Sequence, residues 1–308
     1  MAFPIATGAV TRDQGFGVST FSDGSSIVTG SFYNTVTFGS TTLTASHVGS
    51  TPSTDGFVAK IDSNGNYLWA KQFGGTDTDQ GLSVSTLSDG SCIITGFFQG
   101  AANFGDTTLN SSGNQDIFIT KVDSNGNFLW ATQAGGASGF DTGYSIDALN
   151  DGSSIITGRF IEGTASFGAT TLTSANDNDT YIAKLDSNGN FLWVTQGTGD
   201  NIGSNTGSAV SSLSDGSSIT TGTFSSSLTF GETTLENNGY DGIFITKVDG
   251  NGNVLWAKHA GGERHDSSNG ISTLSDGSSI ITGHFEGSAS FGDITLTAPD
   301  YNLSLIHI

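Results

Sequence analysis

One cysteine, one methionine and three prolines stand among 308 residues. A single thiol excludes a disulfide framework within the chain and a cysteine-based zinc site. Basic residues are also scarce: 9 lysines and arginines face 29 aspartates and glutamates, for a formal charge of -20 and a pI near 4.1. Nucleic acid and anionic membranes would repel such a chain. No apolar run approaches the roughly 18 residues that a membrane span requires. The start, Met1-Ala2-Phe3-Pro4, has neither a basic region nor a long apolar stretch, so no signal peptide is visible. No segment shows a capped 3.6-residue periodicity, which leaves β-structure as the expected fold class. The hydrophobic content of 34% is low for a packed helical protein, yet 21 phenylalanines and 4 tryptophans can still build cores.

What the chain does have is a repeat. An Asp-Gly-Ser turn recurs at Asp23, Asp89, Asp151, Asp215 and Asp276, spaced by 66, 62, 64 and 61 residues. All four tryptophans, Trp69, Trp130, Trp193 and Trp256, occupy one repeat position. Two phenylalanine series follow the same period: Phe32, Phe98, Phe160, Phe224 and Phe285, then Phe38, Phe104, Phe167, Phe230 and Phe291. Each repeat reads as four strands, A to D. An Asp-Gly turn joins A to B, and an Asn-Gly turn joins C to D; both are hairpin signals. Between B and C, a Phe-Gly-x-Thr-Thr-Leu segment predicts a short extra strand or an ordered loop. One face of strand A carries Gly17, Ser83, Ser145, Ala209 and Gly270, small enough for strands that converge on a central channel. About five four-stranded antiparallel units of 61–66 residues predict a β-propeller or an open arc of one. The alternative, a parallel β-helix, has shorter coils without tight hairpins.

The run Phe-Val-Ala-Lys-Ile-Asp-Ser-Asn-Gly-Asn-Tyr-Leu-Trp-Ala-Lys-Gln-Phe-Gly-Gly at 57–75 resembles the bacterial SBBP-type β-propeller repeat. So does Asp-Gly-Ser-Ser-Ile-Ile-Thr-Gly-His-Phe at 276–285. The resemblance extends over nearly the whole chain. It implies a secreted or cell-surface bacterial protein with further repeats or modules, and it carries no catalytic residue onto this sequence.

Repeats begin near residues 15, 81, 143, 207 and 268, and the last is incomplete. Propeller repeats are thus expected over 1–302. Within them, residues 1–14 read as a degenerate D strand and loop, either closing the last blade or continuing a longer array. Residues 303–308 break the pattern and read as a non-native tail. Counting yields five A–B hairpins and four C–D hairpins, which suits either an arc or a five-bladed ring.

Loop lengths divide the two ends of such a unit. The A–B and C–D turns are uniform, whereas the B–C and D–A connections vary, and variable loops on a rigid scaffold are where recognition concentrates. Asp13, Asp79, Asp141 and Asp266, with Asn205 in the remaining copy, recur five residues before a valine or isoleucine of strand A. They could form a calcium ring through oxygen ligands, but capping of the turn into the strand is the favoured role. The Asp-Ser-Asn-Gly-Asn turns lack the spacing and terminal acid of an EF-hand. Cys92 replaces a serine of strand B, and the histidines share no repeat position, so neither a nucleophile nor a metal site is expected. Lys60, Lys121, Lys184 and Lys247 lie across the hairpin from the tryptophans, where cation–π or stem packing is expected. Asp147 is the one inward departure, standing where other copies have serine.

Together these readings predict a non-enzymatic extracellular scaffold, without cofactor apart from the calcium option, that binds protein or glycan through the variable loops. The alternatives are a carbohydrate-active or lyase-type module, and a calcium-dependent lectin-like module.

Overall fold

The computed structural model of the protein describes residues 13–46, 53–200, 203, 205–274, 276–298 and 306–307. Every regular element among them is a β-strand, and all the paired strands run antiparallel. Five A–B hairpins are present: Gln14–Thr20 with Ser26–Phe32, Gln80–Thr86 with Cys92–Phe98, Thr142–Ala148 with Ser154–Phe167, Thr206–Ser212 with Ser218–Phe224, and Ser267–Thr273 with Ser279–His284. Four C–D hairpins accompany them: Asp55–Ile61 with Tyr67–Gly75, Asp116–Val122 with Phe128–Gly136, Thr170–Leu185 with Phe191–Gly199, and Gly242–Val248 with Val254–Gly262. Strand B pairs with strand C in each of these four repeats, so the order is A-B-C-D.

The turns follow from their sequences. In the second repeat, Gly90 N–H donates to the Leu87 carbonyl at 3.1 Å, and Leu87 N–H donates to the Ser91 carbonyl at 2.9 Å. Gly90 sits at φ 85°, a conformation that a side chain would strain. Asp89 finishes the turn by accepting from Ser91 N–H at 2.9 Å and from the Ser91 hydroxyl. The C–D turn uses its first aspartate likewise: Asp123 Oδ1 accepts from Asn125 and Asn127 N–H, each at 2.8 Å. Its Oδ2 accepts from the Asn127 amide at 2.9 Å. These carboxylates are consumed within their own turns.

The Phe-Gly segment is more than the short extra strand or ordered loop expected. It is a complete hairpin, as in Ala101–Phe104 with Thr107–Asn110 and Ser227–Phe230 with Thr233–Glu236. In the third repeat the same hairpin continues strands B and C directly, which lengthens them to Ser154–Phe167 and Thr170–Leu185. Each such hairpin adds to strand D of the preceding repeat, through Gly74↔Asn103, Gly135↔Ser166, Gly197↔Phe230 and Gly261↔Ser290. The expected four strands therefore become six, A-B-C-D followed by the hairpin of the next repeat. The physical reason is that strand D would otherwise expose an unpaired edge. The first hairpin, Thr35–Phe38 with Thr41–Thr44, forms a two-stranded sheet by itself. The degenerate D strand expected near residues 1–10 lies outside the described residues.

This arrangement drives phenylalanine between repeats. Phe104, fully buried, stacks on Phe73 of the preceding strand D at 5.3 Å and packs on Phe118 of its own strand C at 4.8 Å. Phe167 and Phe230 repeat the contact with Tyr181 and Phe244 at 4.8 and 5.3 Å. The tryptophans reach forward: Trp69, Trp130 and Trp193 donate through Nε1 to Ser124, Ser187 and Gly250 carbonyls of the next C–D turn, at 3.0, 3.1 and 2.9 Å.

Strands A of successive repeats lie side by side, as their small residues suggest. Ser83 and Ser85 hydroxyls accept from Ile146 and Ala148 N–H at 3.2 and 3.1 Å, and Ser145 accepts from Val210 N–H at 3.2 Å. Val84, Ile146 and Val210 are thereby buried, whereas Val18, at the same position of the first repeat, is 68% exposed. At the other extreme of the chain, Ile306–His307 pairs with Ser279–His284 where strand C lies in other repeats. The remainder of the tail expected to be non-native, 303–305 and 308, lies outside the described residues.

Candidate functional site

The recurring aspartates ahead of strand A sit at the joints between repeats, at the end that carries the B–C and D–A connections. Asp79 Oδ2 accepts from Gly75 N–H at 2.7 Å and its Oδ1 from Gln99 N–H at 3.2 Å. Asp141 takes Gly136 and Ile161 N–H, both at 2.9 Å. Asp266 takes Gly262 and Glu286 N–H at 2.6 and 3.1 Å. Asp13 accepts from Tyr33 N–H at 3.0 Å. Asp79, Asp141 and Asp266 therefore each tie a D–A loop to the connection leaving strand B, and Asp13 bonds the latter connection in its own repeat. Among the described residues, no group of three or more His, Cys, Asp or Glu side chains is placed to hold a metal ion.

A second series, Asp55, Asp116, Asp179 and Asp241, opens strand C beside the first. Their recurrence ahead of strand C is visible in the sequence, but nothing local marks them as partners of the first series. The structure brings the two series together across the joint: Asp116 borders Asp141 at Gly135, the Asp55 charge acts on Asp79, and the backbone links Asn205 N–H to the Asn178 carbonyl at 3.3 Å and Asp266 N–H to the Asp241 carbonyl at 3.0 Å. A glycine makes room for Asp116 and Asp141. At Gly135, whose φ is 144°, an added Cβ would lie 2.8 Å from Asp116 Oδ1 and 2.9 Å from Asp141 Oδ2. Burial pushes Asp55 and Asp141 up to about 7 and Asp79 up to about 8, against the N–H donors that favour the ionised form. Asp116 and Asp266 are raised by burial as well.

The joints differ in how the second negative charge is met. In the third, Asn205 replaces the loop aspartate, and its amide donates to the Asn178 carbonyl at 3.0 Å. Thr198 replaces the left-handed glycine at the same time, and Gly199 N–H turns to Asp179 Oδ1 at 2.9 Å. Gln196 donates to Asp179 Oδ2 at 2.6 Å. In the fourth, His265 Nδ1 lies 2.6 Å from Asp241 Oδ2, and the Ser225 hydroxyl donates to Oδ1 at 2.7 Å. The Asp241 carboxylate raises the His265 pKa, chiefly through this hydrogen bond. In the first and second joints, Asp55 Oδ1 and Asp116 Oδ1 are buried without a hydrogen-bond partner. The paired change of Thr198 and Asn205 was the readable signal of this arrangement.

The fourth joint also departs from the repeat at its surface. Tyr240, 68% exposed, stacks on the His265 ring at 4.9 Å with the planes 22° apart. Tyr240 belongs to a B–C connection and His265 to a D–A loop.

The opposite end holds a cavity of about 750 Å³ between the turns of the third and fourth repeats, lined in part by Asp147, Asp151, Lys184 and Asp215. Asp147 is fully used there: Oδ1 accepts from the Ser85 hydroxyl at 3.2 Å, and Oδ2 accepts from Ser212 N–H at 2.7 Å and its hydroxyl at 2.5 Å. It laces three strands A together. The lysines opposite the tryptophans do pair across the hairpin, as in Lys121↔Trp130, but the Lys121 ammonium goes to Asp89 Oδ2 at 3.5 Å. Lys60 instead lies 4.4 Å from the Phe21 ring centroid. Of the two expected roles, stem packing holds for Lys121 and Lys184, which are buried, and the cation–π contact of Lys60 is with Phe21. Cys92 is buried, which pushes its thiol up to about 12 and makes it inert at neutral pH. His259 takes the place of the joint glutamines, and burial lowers its pKa.

No family model matches the chain. It is 32% identical over 83 residues to the regulatory protein FlaEY of Caulobacter vibrioides, covering 26% of this chain and 9% of that protein. It is 29% identical over 121 residues to an uncharacterized WD repeat-containing protein of Acanthamoeba polyphaga mimivirus, covering 33% and 9%. The matched segments thus span less than a tenth of either relative. A crystal structure of a protein of unknown function from Bacteroides caccae superposes over 81% of this chain and 68% of its own, with TM-score 0.41 and 11% identity.

Proposed function

We propose that the chain is a β-propeller, or an arc of one, of the SBBP type, and that it serves as a non-enzymatic extracellular scaffold of a bacterium. In this reading strands A line the axis, each A-to-D sheet with its added hairpin is a blade, and partners dock on the end formed by B–C and D–A connections. The lacing of strands A by serine and threonine hydroxyls supports the architecture. The observation that carries the binding reading is the exposed Tyr240–His265 stack on that end. An exposed ring beside a carboxylate, Asp241, offers apolar contact and hydrogen bonding together, the combination that glycan and protein partners use. Asp147, the one inward carboxylate that breaks the repeat, is held by Ser85 and Ser212, so it lends the hydrolase alternative no support.

The test is binding of the purified chain to arrays of glycans and extracellular proteins. Retention of a defined ligand class, reduced about tenfold or more by Tyr240→Ala and unaffected by Asn125→Ala on the opposite end, is the expected result. Equal loss in both variants, or binding unaffected by Tyr240→Ala, would remove the Tyr240 site.

A further inference from the structure

Four joints between repeats solve one electrostatic problem in different ways. Two carboxylates buried side by side cannot both ionise cheaply. The third joint removes one of them, since Asn205 stands in its place and both Asp179 oxygens receive donors. The fourth supplies a histidine and a hydroxyl to Asp241. The first and second joints have neither device. Asp55 and Asp116 are almost wholly buried, at 0% and 1% exposure, and one oxygen of each lacks a partner.

At the second joint the geometry shows what is missing. Asp116 Oδ2 accepts from Ser112 N–H at 3.0 Å and from the Gln133 amide at 3.4 Å. Both Asp141 oxygens accept backbone N–H. The orphaned Asp116 Oδ1 borders the same Gly135 position as Asp141 Oδ2. We propose that Asp116 and Asp141 share one proton at neutral pH, held between the orphaned Asp116 Oδ1 and the neighbouring Asp141 carboxylate, and that Asp55, whose Oδ1 is likewise orphaned, shares one with Asp79. A proton suits this place better than a divalent cation, because N–H donors occupy the other oxygens and would be repelled by the metal. It also replaces the missing donor with a charge-assisted hydrogen bond. The first and second joints then become proton-linked clasps between successive repeats, closed at neutral and mildly acidic pH and strained in alkali.

The groups facing these pairs leave the assignment intact. Arg159 lowers Asp141, but less than burial raises it, and Asp116 opposes Arg159. Tyr181, wholly buried nearby, holds its hydroxyl toward the Thr142 carbonyl at 3.4 Å, and burial keeps it neutral. Asp77 adds a negative charge beside Asp79. Raised carboxylates give stability that is lost as pH rises from the ordinary carboxylate range through about 7 or 8.

The test uses the full chain, with thermal unfolding followed from pH 5 to 9 and infrared detection of protonated carboxyl groups at pH 7. The melting temperature of the parent protein should fall by about 5–10 °C between pH 6 and 9. Asp116→Asn keeps an acceptor for Ser112 and offers an amide donor to Asp141, so it should flatten this decline and remove part of the carboxyl band. Asp141→Asn places an amide against a backbone N–H and should destabilise at every pH. Three results overturn the proposal: no protonated carboxyl band at pH 7, equal destabilisation by Asp116→Asn at pH 5 and pH 9, or a millimolar calcium effect that Asp116→Asn abolishes. The last would assign a metal to the joint instead.

Discussion

Replacing Phe104 by alanine tests whether the Phe-Gly hairpin is the plug between repeats. The ring is 1% exposed and lies between two sheets, against Phe73, Phe118 and Phe98 at 5.3, 4.8 and 6.4 Å. Phe128 meets its edge at 6.2 Å. A Phe→Ala change at a rigid buried site costs about 3–5 kcal/mol, because lost transfer energy adds to a cavity the neighbours cannot fill. The same repeat position supplies an internal control. Phe291 is only half-buried, and its ring contact is with Phe285 at 5.8 Å. Phe291→Ala should therefore cost about 1–2 kcal/mol, following the smaller area removed from water. Urea unfolding monitored by tryptophan fluorescence is a suitable assay, since Trp69 and Trp130 flank the Phe104 joint. Phe104→Ala should shift the midpoint at least twice as far as Phe291→Ala at unchanged slope. Equal shifts, or a cost below about 1 kcal/mol for Phe104→Ala, would refute the idea that burial between repeats sets the energetics.

Trp193→Phe removes the hydrogen bond to the Gly250 carbonyl and should cost about 1–2 kcal/mol in urea unfolding. Gly135→Ala brings a Cβ within 2.8 Å of Asp116 at a φ of 144° and should destabilise by about 1–3 kcal/mol. Thr198→Gly, at the joint where that conformation is not used, should change stability by about 1 kcal/mol at most. In acid, the A–B turn carboxylates act with the opposite sign to the joints. Asp89 and Asp151 are lowered mainly by the serine hydroxyls that donate to them. Their stabilisation is present above the ordinary carboxylate range and is lost as pH falls through the lowered values. Ser91→Ala should accordingly move the midpoint of acid unfolding, followed by circular dichroism, toward higher pH.

The elements readable from the residues are those whose causes are local. Asp-Gly and Asn-Gly turns, with Gly90 in a left-handed conformation, determine where strands reverse, and five A–B and four C–D hairpins appear where the spacing places them. The capping by Asp79, Asp141 and Asp266 is local in one of its two bonds, to an N–H of the same loop, and tertiary in the other, to the connection leaving strand B. For the lysines, stem packing is seen, with Lys121 and Lys184 both buried, and the ammonium of Lys121 goes elsewhere than the tryptophan. Cross-strand register places Lys121 opposite Trp130, but side-chain direction sends the ammonium toward Asp89.

Composition and periodicity by themselves determined the all-β class, the repeat length and the positions of the turns, because hairpin chemistry acts over a few residues. Only the tertiary structure decided that the later Phe-Gly hairpins join the preceding strand D, and that Asp116 and Asp141 meet as a buried pair. Those contacts join residues of neighbouring repeats or of loops some 25 residues apart, such as Asp116 and Asp141. Desolvation sets their energetics, favourable for the rings and costly for the carboxylates, and a residue is desolvated only when another repeat excludes water from it.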